Sequence, residues 1–390
     1  MPVALFALAI GAFGIGLTEF VVAGILPEIA RDFGIGIPRA GLMATTYALG
    51  VFVGAPILTV LAARIPRKTV LIGLAGLFTL GNVLTALAPT LPVALAGRIL
   101  TAFNHGSFFG IGAIIAASLV PRERQASAIA FMFSGLTLAN LVGVPAGTWL
   151  AQVHGWRLVF WLAAAIGLAT MASLALCLPR IAGGPAVALR RELRALADPQ
   201  VLLAMAITVF GPAAFFTSIT YVAPMMIEEA GLSGAAVARL MVLFGLGLAV
   251  GNWLGGRFAD RSLFGTLFVT LAAQAAVLLI FWAGASHAGL AAACIFLMAA
   301  FGFATVSPIQ KLVMERADRA GAATMASSVN IGMFNLGNAL GAWLGGATIA
   351  AGFGLASPNW AGALLSAVAL VLAVIAWRTA APLPAGATAP

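Results

Sequence analysis

The chain has 390 residues, of which 62% are hydrophobic and only 8% are charged. A soluble domain carries about 25% charged residues, so this composition excludes a water-soluble globule and predicts an integral membrane protein. The net charge of +9 would suggest nucleic-acid binding in a soluble protein. Here the basic residues lie in short gaps between apolar runs, which is a membrane-topology pattern, so nucleic acid is not an expected partner.

The apolar runs predict an all-α protein with twelve transmembrane helices, because a helix needs about 20 apolar residues to cross a bilayer. The predicted spans are 3–30, 38–63, 69–88, 92–119, 125–152, 157–178, 200–228, 236–258, 264–285, 288–313, 321–351 and 359–378. The runs are continuous and do not alternate with period two, which favours helices over a β-barrel. The first run follows no positive charge and is too long for a signal-peptide core, so it is expected to be retained.

The basic residues also predict the orientation of the chain. Most of the 20 Lys and Arg residues lie in the even-numbered connections, and only a few lie in the odd-numbered ones. The positive-inside rule therefore places the even connections and both termini in the cytoplasm.

The longest connection, 179–199, lies at the midpoint of the chain and predicts two six-helix halves, 1–178 and 200–380. Its segment "AVALRRELRAL" is predicted to form an amphipathic helix on the membrane surface, and the tail 381–390 is predicted to be disordered. The halves resemble each other, since Gly54 and Gly251, like Arg64 and Arg261, are 197 residues apart. Such a repeat suggests two parallel halves around a central cavity.

Several motifs resemble the major facilitator superfamily. The connection containing "RIPRK" is similar to its signature Gly-x-x-x-Asp-Arg-x-Gly-Arg-Lys, and "NLVGVPAGTWL" resembles the Gly-Pro-x-x-Gly antiporter signature of span five. "HGWRLVFW", "LTEF" and "GRILTAFNHGSFFGIGA" are similar to spans six, one and four of the arabinose- and sugar-efflux-like branch of the twelve-helix drug:proton antiporters.

The resemblance implies the major facilitator fold, alternating access, a bacterial-type inner (plasma) membrane, a small-molecule substrate, protons as the coupling ion and no cofactor. A monomer surrounded by lipid is the family expectation. By the same resemblance, a gating or structural role falls to Arg64, Arg67, Lys68, Gly143, Pro145, Gly147, Asp260 and Arg261. In the family, this signature connection latches the cytoplasmic side through charge pairs, so the resemblance implies a latch here. The first signature copy departs from the family pattern at Ala63 and Pro66, so the latch of the first half must differ.

Glu19 is the candidate proton site. It lies about 25 Å into its span, whereas the other acidic residues fall at span ends or in connections. A charge there costs about 2.5–3.5 kcal/mol, so an intramembrane acid indicates function by default. Burial favours the neutral carboxyl and a nearby cation favours the charged one, so a group between these influences can bind and release a proton. The alternative is a structural pair with Arg98, and both roles are compatible.

Span four carries a stripe of candidates at helical spacing. Arg98 remains charged and can tune a carboxylate or hold a substrate, and a static anchor is the alternative. His105 can titrate near neutral pH, or else hydrogen-bond between helices. Polar and aromatic side chains on this stripe suit a cavity wall, and the candidates for substrate binding there are Thr101, Asn104, Phe108 and Phe109.

Other polar residues in the spans are candidates for substrate binding, although a hydrogen bond between helices is the simpler role for each. They are Tyr47, Asn140, Tyr221, Gln310, Asn330, Asn335 and, in the same span as the last two, Asn338. We predict a proton-coupled exporter of sugars, nucleosides or drugs, and the alternative is a proton-independent facilitator or importer. A membrane enzyme or receptor is disfavoured, because phosphate-loop, nucleophile and metal-ligand motifs, and a sizeable soluble domain, are absent from the sequence.

Overall fold

A computed structural model describes residues 3–62, 65–121, 124–179, 197–320 and 323–379, and the regular structure in these ranges is entirely helical. The single helices are α1 (Val3–Phe33), α2 (Leu42–Ala62), α3 (Arg67–Leu87), α4 (Leu91–Ser118), α6 (Arg157–Cys177), α8 (Gly234–Arg261), α9 (Leu263–Gly284), α11 (Ala323–Ala350) and α12 (Ser357–Arg378). Three helices are segmented: α5 (Gln125–Leu138, Ala139–Gly143 and Val144–His154), α7 (Pro199–Ile219 and Val222–Glu228) and α10 (Ala288–Ala304 and Val306–Ala320).

The predicted spans and the observed helices agree in number and order. Among the described residues, eleven helices are long and apolar enough to cross a membrane. The remaining helix, α11, has 28 residues and coincides with the predicted span 321–351.

The largest differences are at helix ends. The second span begins at Leu42, because Pro38 lies in a separate short helix, Ile37–Ala40. The predicted span 288–313 is longer in the structure, because the second segment of α10 continues to residue 320 and is charged and amphipathic.

A π turn precedes Pro145 in α5. It covers Ala139–Gly143, and Pro145 then lies in the first turn of the segment Val144–His154. A proline is tolerated there because its missing N–H is not needed at the start of a helical segment. Single π turns often mark functional positions inside membrane helices.

The two halves repeat one contact between helices. Gly54 of α2 lies against Phe103 of α4, and Gly251 of α8 lies against Ala300 of α10. Both residues of the second pair are 197 positions after those of the first, so the spacing found in the sequence reappears as equivalent packing. Glycine at such a contact lets two helix backbones approach closely.

Two of the predicted latch residues, Lys68 and Asp260, bind within their own halves. Lys68 Nζ donates to the carbonyl oxygens of Ala175 (2.7 Å) and Leu178 (2.6 Å), and thus neutralises the end of α6. Asp260 Oδ1 lies 3.5 Å from Lys311 Nζ at the end of α8.

The other latch predictions are less defined. Arg261 lies with its Cζ 5.8 Å from the ring of Phe258, and Arg67 is the first residue of α3. Arg64, most of the connection 179–199 and the tail 381–390 are outside the described residues, so those predictions remain predictions.

Candidate functional site

Glu19, Tyr47 and His105 meet in the middle of the first half, contributed by α1, α2 and α4. Tyr47 Oη and His105 Nδ1 are 3.1 Å apart and share a hydrogen bond. The same Nδ1 lies 4.0 Å from Glu19 Oε2, and the side chains of Glu19 and His105 are each only 10% exposed. The imidazole therefore lies between the other two groups, hydrogen-bonded to the phenol and within ion-pair distance of the carboxyl.

Arg98 completes this group from the outer side of α4. It is fully buried, and its Nε and Nη1 donate to the carbonyl oxygens of Met43 (3.0 Å) and Thr18 (2.9 Å). Its Cζ lies 4.2 Å from the centroid of the Tyr47 ring, within cation–π range. The third nitrogen, Nη2, is buried without a hydrogen-bond partner. We call Glu19, Tyr47, Arg98 and His105 the polar cluster.

The partner of Glu19 differs from the structural alternative considered above. His105, not Arg98, lies within ion-pair distance of Glu19 in the described structure. Arg98 instead ties α4 to the backbones of α1 and α2 through Thr18 and Met43. Its position about 10 Å from the start of α4 does not leave it near water, because neighbouring helices cover it completely.

The stripe expected on α4 divides between different neighbours. The ring of Phe109 lies 5.3 Å from that of His105 and stacks on Phe133 of α5 at 5.0 Å. Phe108 is fully buried against Gly11 of α1. Thr101 turns the other way, donates to Gly97 O and packs on Gly81 of α3. Of these residues, Phe109 is therefore the one in contact with the polar cluster.

Buried amide oxygens without a partner occur in α4, α5 and α11. Among the buried asparagine Oδ1 atoms without a hydrogen-bond partner, four belong to residues singled out in the sequence, Asn104, Asn140, Asn335 and Asn338, and a fifth belongs to Asn82 of α3. Asn140 and Asn335 use their Nδ2 to donate to Leu136 O (3.0 Å) and Ile331 O (2.9 Å), one turn earlier. A buried acceptor without a partner costs about 1–3 kcal/mol, so these oxygens could be satisfied by water or by donors on a substrate.

A closed amide network lies in the second half. Asn330 Nδ2 donates to Gln310 Oε1 at 2.6 Å, and Thr208 Oγ1 donates to Asn330 Oδ1 at 2.7 Å. These bonds connect α10, α11 and α7. The interhelical hydrogen bonding considered as the simpler role is thus present for Asn330 and Gln310, although Gln310 remains partly exposed.

Tyr221 lies away from the polar cluster, at the outer end of α7. Its hydroxyl donates to Ala342 O of α11 at 2.7 Å, and its ring packs on Gly41, Gly345 and Gly346. The residue is 1% exposed. Its place fits a contact between helices at the outer end rather than a central cavity wall.

An aromatic cluster next to Glu19 was not found by sequence reasoning. Its centroids lie 5.3–6.1 Å apart, and its members are Phe20, Phe215, Phe216, Phe244 and Phe303. The sequence contains 25 phenylalanines, and none carries a polar atom that marks it as special. The repeat was the one available signal, since Phe216 and Phe244 follow Glu19 and Tyr47 by the same 197 residues.

The described residues contain no candidate metal site. Across the described ranges, no three His, Cys, Asp or Glu side chains are grouped so that they could hold a metal ion. Cys294 is buried among apolar residues, and Cys177 is half-buried at the end of α6.

Comparison with known proteins decides the class. The model of the Major Facilitator Superfamily matches residues 8–333. The chain belongs to the Major Facilitator Superfamily. It is a multi-pass membrane transporter, and the prediction that it is not an enzyme is confirmed by this membership.

Relatives cover nearly the whole chain. The Inner membrane transport protein YdhP of Escherichia coli (strain K12) is 46% identical over 374 residues, which are 96% of each chain. The chloramphenicol resistance protein of Streptomyces lividans is 35% identical over 383 residues, again 96% of each chain. These relatives are consistent with the drug- and sugar-efflux-like branch of the superfamily.

Solved structures support the fold. The crystal structure of a D-xylose-proton symporter superposes with a TM-score of 0.77 and covers 96% of this chain and 97% of its own. Its sequence identity is 15%, so the likeness concerns the fold alone. The all-α major facilitator fold predicted from the sequence is therefore confirmed.

Proposed function

We propose that this transporter is a proton-coupled exporter of small molecules that works by alternating access, with Glu19 as the proton site. The observation that supports the proposal is the position of Glu19 within ion-pair distance of His105, which is hydrogen-bonded to Tyr47, in the middle of the first half. Intramembrane acids in contact with other titratable groups are typical of proton relays.

Each member of the polar cluster has a distinct part in this mechanism. Glu19 accepts a proton from the outer side and releases it to the cytoplasm, and the opposite movement carries substrate outward. Arg98 cannot lose its proton, so it supplies a fixed positive charge beside the carboxyl group. His105 and Tyr47 orient the carboxyl and supply hydrogen-bonding groups along the proton path.

Glu19→Gln is expected to abolish uphill transport and leave passive exchange. Glutamine keeps the shape and hydrogen-bonding capacity of the side chain but cannot bind and release a proton. Wild type and variant would be reconstituted in liposomes with an imposed pH gradient, and labelled arabinose and labelled chloramphenicol would be followed. Wild type is expected to accumulate one of them against its gradient, whereas the variant only equilibrates it.

Glu229→Gln is the matched control. Glu229 is exposed just after α7, so this substitution removes the same charge outside the polar cluster. This variant is expected to accumulate substrate as wild type does. Continued uphill transport by Glu19→Gln would assign Glu19 a structural role. Wild-type transport that ignores the pH gradient would point to the facilitator alternative.

His105→Gln separates the proton carrier from its neighbour. Glutamine can still hydrogen-bond to Tyr47 but cannot carry a charge, so this variant is expected to accumulate substrate more slowly while reaching the same final gradient. The measurement compares the initial rate with the plateau of accumulation at one imposed pH gradient. If His105→Gln accumulated no substrate while Glu19→Gln reached the wild-type plateau, His105 would be the proton carrier.

The proposed substrates are small neutral or weakly polar molecules. Glu19 is the acid in the middle of α1 and it serves the proton, whereas Glu28 and Asp32 lie near the end of that helix, so a cationic substrate has no second carboxylate of α1 beside Glu19. The phenylalanines and unpaired amide oxygens suit a molecule with both apolar surface and hydrogen-bond donors. Chloramphenicol is the natural first test, since the Streptomyces lividans relative is a chloramphenicol resistance protein. The name of the Escherichia coli relative favours an inner-membrane location for this chain as well.

A further inference from the structure

Phe20 of the first half is inserted into the second half. Its ring centroid lies 5.8 Å from that of Phe216, 5.9 Å from Phe244 and 6.1 Å from Phe303. These three partners belong to α7, α8 and α10 of the second half. Phe20 is 4% exposed and is part of the apolar core of the second half, although its own backbone is in α1.

Tyr221 of the second half makes the reciprocal insertion. Its ring is part of an apolar cluster built otherwise by buried residues of the first half, among them Leu26, Ala40 and Met43. The Tyr221 hydroxyl contacts Gly41, just before α2, so closely that a Cβ on Gly41 would overlap it. Each half therefore holds an aromatic ring of the other in its core.

The two insertions lie along one boundary, from the middle of the membrane to its outer end. Phe20 is about midway along α1, whereas Tyr221 follows the main segment of α7 at the outer side given by the charge pattern. A hydrogen bond of 2.9 Å from Gln152 Nε2 to Gly234 O joins the halves at the same outer end, between α5 and α8. These contacts join the two halves on the outer side in this structure.

We propose that Phe20 and Tyr221 are positioning residues that hold the outer side closed, and that both rings must leave the opposite half before the outer side can open. Interdigitated side chains cannot slide continuously past each other, so their exchange acts as a two-state step. The proposal rests on alternating access but on neither protons nor a particular substrate.

Gly41→Ala tests the seat of Tyr221. The added methyl group would overlap the Tyr221 hydroxyl and expel the ring, and thereby favour the outward-open state. The matched control is Gly36→Ala in the same connection, where an added Cβ meets only Pro38 Cδ at 3.6 Å. Adding Tyr221→Phe to Gly41→Ala removes the hydroxyl oxygen that lies closest to the added methyl group. The double variant is therefore expected to be closed on the outer side more often than Gly41→Ala alone.

The readout is the distance between spin labels on the two outer rims. Thr90→Cys and His287→Cys place the labels on exposed residues just before α4 and α10, after Cys177 and Cys294 are replaced by alanine. The full-length protein would be measured in liposomes by pulsed electron paramagnetic resonance, without substrate or pH gradient. Gly41→Ala is expected to add a population at longer distance, and Gly36→Ala is expected to keep the parent distribution.

An unchanged distance distribution for folded Gly41→Ala would overturn the role of Tyr221. The role would also be overturned if adding Tyr221→Phe did not reduce the longer-distance population of Gly41→Ala. Where Gly41→Ala does not fold, Phe20→Ala applies the same test without a clash, because it removes a ring from the opposite half. A distribution identical to that of the parent protein for Phe20→Ala would overturn the proposal. Loss of thermal stability without a change in distance would show a merely structural role. Because the distances are measured without a pH gradient, a negative result here would leave the proposed proton coupling untouched.

Discussion

Arg98→Lys is expected to destabilise the transporter by about 2–4 kcal/mol and to reduce transport at least tenfold, although the charge is kept. A guanidinium carries several donors in a fixed fork, whereas an ammonium is a compact and strongly hydrated charge. Arg98 uses that fork to bind Thr18 O and Met43 O on two different helices. Lysine can replace one of these two hydrogen bonds well, and a hydrogen bond from a charged group contributes about 1.5–3 kcal/mol.

The loss of transport has a separate cause. The guanidinium also lies 4.2 Å from the ring of Tyr47, which is hydrogen-bonded to His105 beside Glu19. Moving the positive charge therefore changes the field at Glu19 and releases the Tyr47 ring, which holds His105 in place. Unfolding in mixed micelles gives the change in stability, and the liposome assay with a pH gradient gives the change in transport.

Arg157→Lys is the control for the chemistry of the substitution. Arg157 also binds a carbonyl, Ala88 O at 2.8 Å, and an acid, Asp32, but its side chain is 35% exposed at the outer rim. Exposed ion pairs contribute about 0–1 kcal/mol, so this variant is expected to lose little stability. Equal effects of the two substitutions would contradict a special role for the buried arginine.

The polar cluster shows which part of a site a sequence can predict. Glu19 and Arg98 stand out because a charge inside an apolar run is costly and therefore rare. The partners of Arg98 could not be predicted, because they are backbone carbonyl oxygens that every residue carries. Likewise, the 4.0 Å approach of His105 to Glu19 depends on how α1 and α4 pack, and the spacing along either helix says nothing about it.

Thr101 shows where periodicity alone misleads. Spacing along α4 groups Thr101 with Arg98 and His105, yet its side chain points to Gly81 of α3 because a stripe of that width spans more than one neighbouring helix. For Tyr221, a polar residue within a span, the sequence left substrate binding and a hydrogen bond between helices open. In the structure its hydroxyl donates to Ala342 O, which is the simpler of those two roles.

The repeat relates the two clusters. Adding 197 residues to Glu19 and Tyr47 gives Phe216 and Phe244, so the second half has aromatic rings where the first half has titratable groups. The two halves therefore differ in chemistry at equivalent places: the first has a carboxyl and a phenol, and the second offers an apolar surface. Phe20, which lies beside Glu19 and inside the aromatic cluster, is the residue at which the two surfaces meet.

Gly251→Ala is expected to destabilise the second half by about 1–3 kcal/mol or more. The Cβ of an alanine there would overlap Ala300 O and its carbonyl carbon, which are backbone atoms of α10 and cannot turn aside as a flexible side chain can. The helices α8 and α10 would have to separate, and overpacking of a close contact costs about 1–3 kcal/mol. Unfolding in mixed micelles and the yield of monodisperse protein measure the effect.

Gly73→Ala makes the same chemical change where nothing lies within 4 Å of the added atom. Gly73 is in the interior of α3, where alanine is favoured over glycine by about 0.5–1 kcal/mol, so this variant is expected to be as stable as wild type or more so. The two substitutions should therefore shift stability in opposite directions. A Gly251→Ala protein as stable as Gly73→Ala would mean that α8 and α10 are not in backbone contact, and the equivalence with Gly54 and Phe103 in the first half would lose its structural basis.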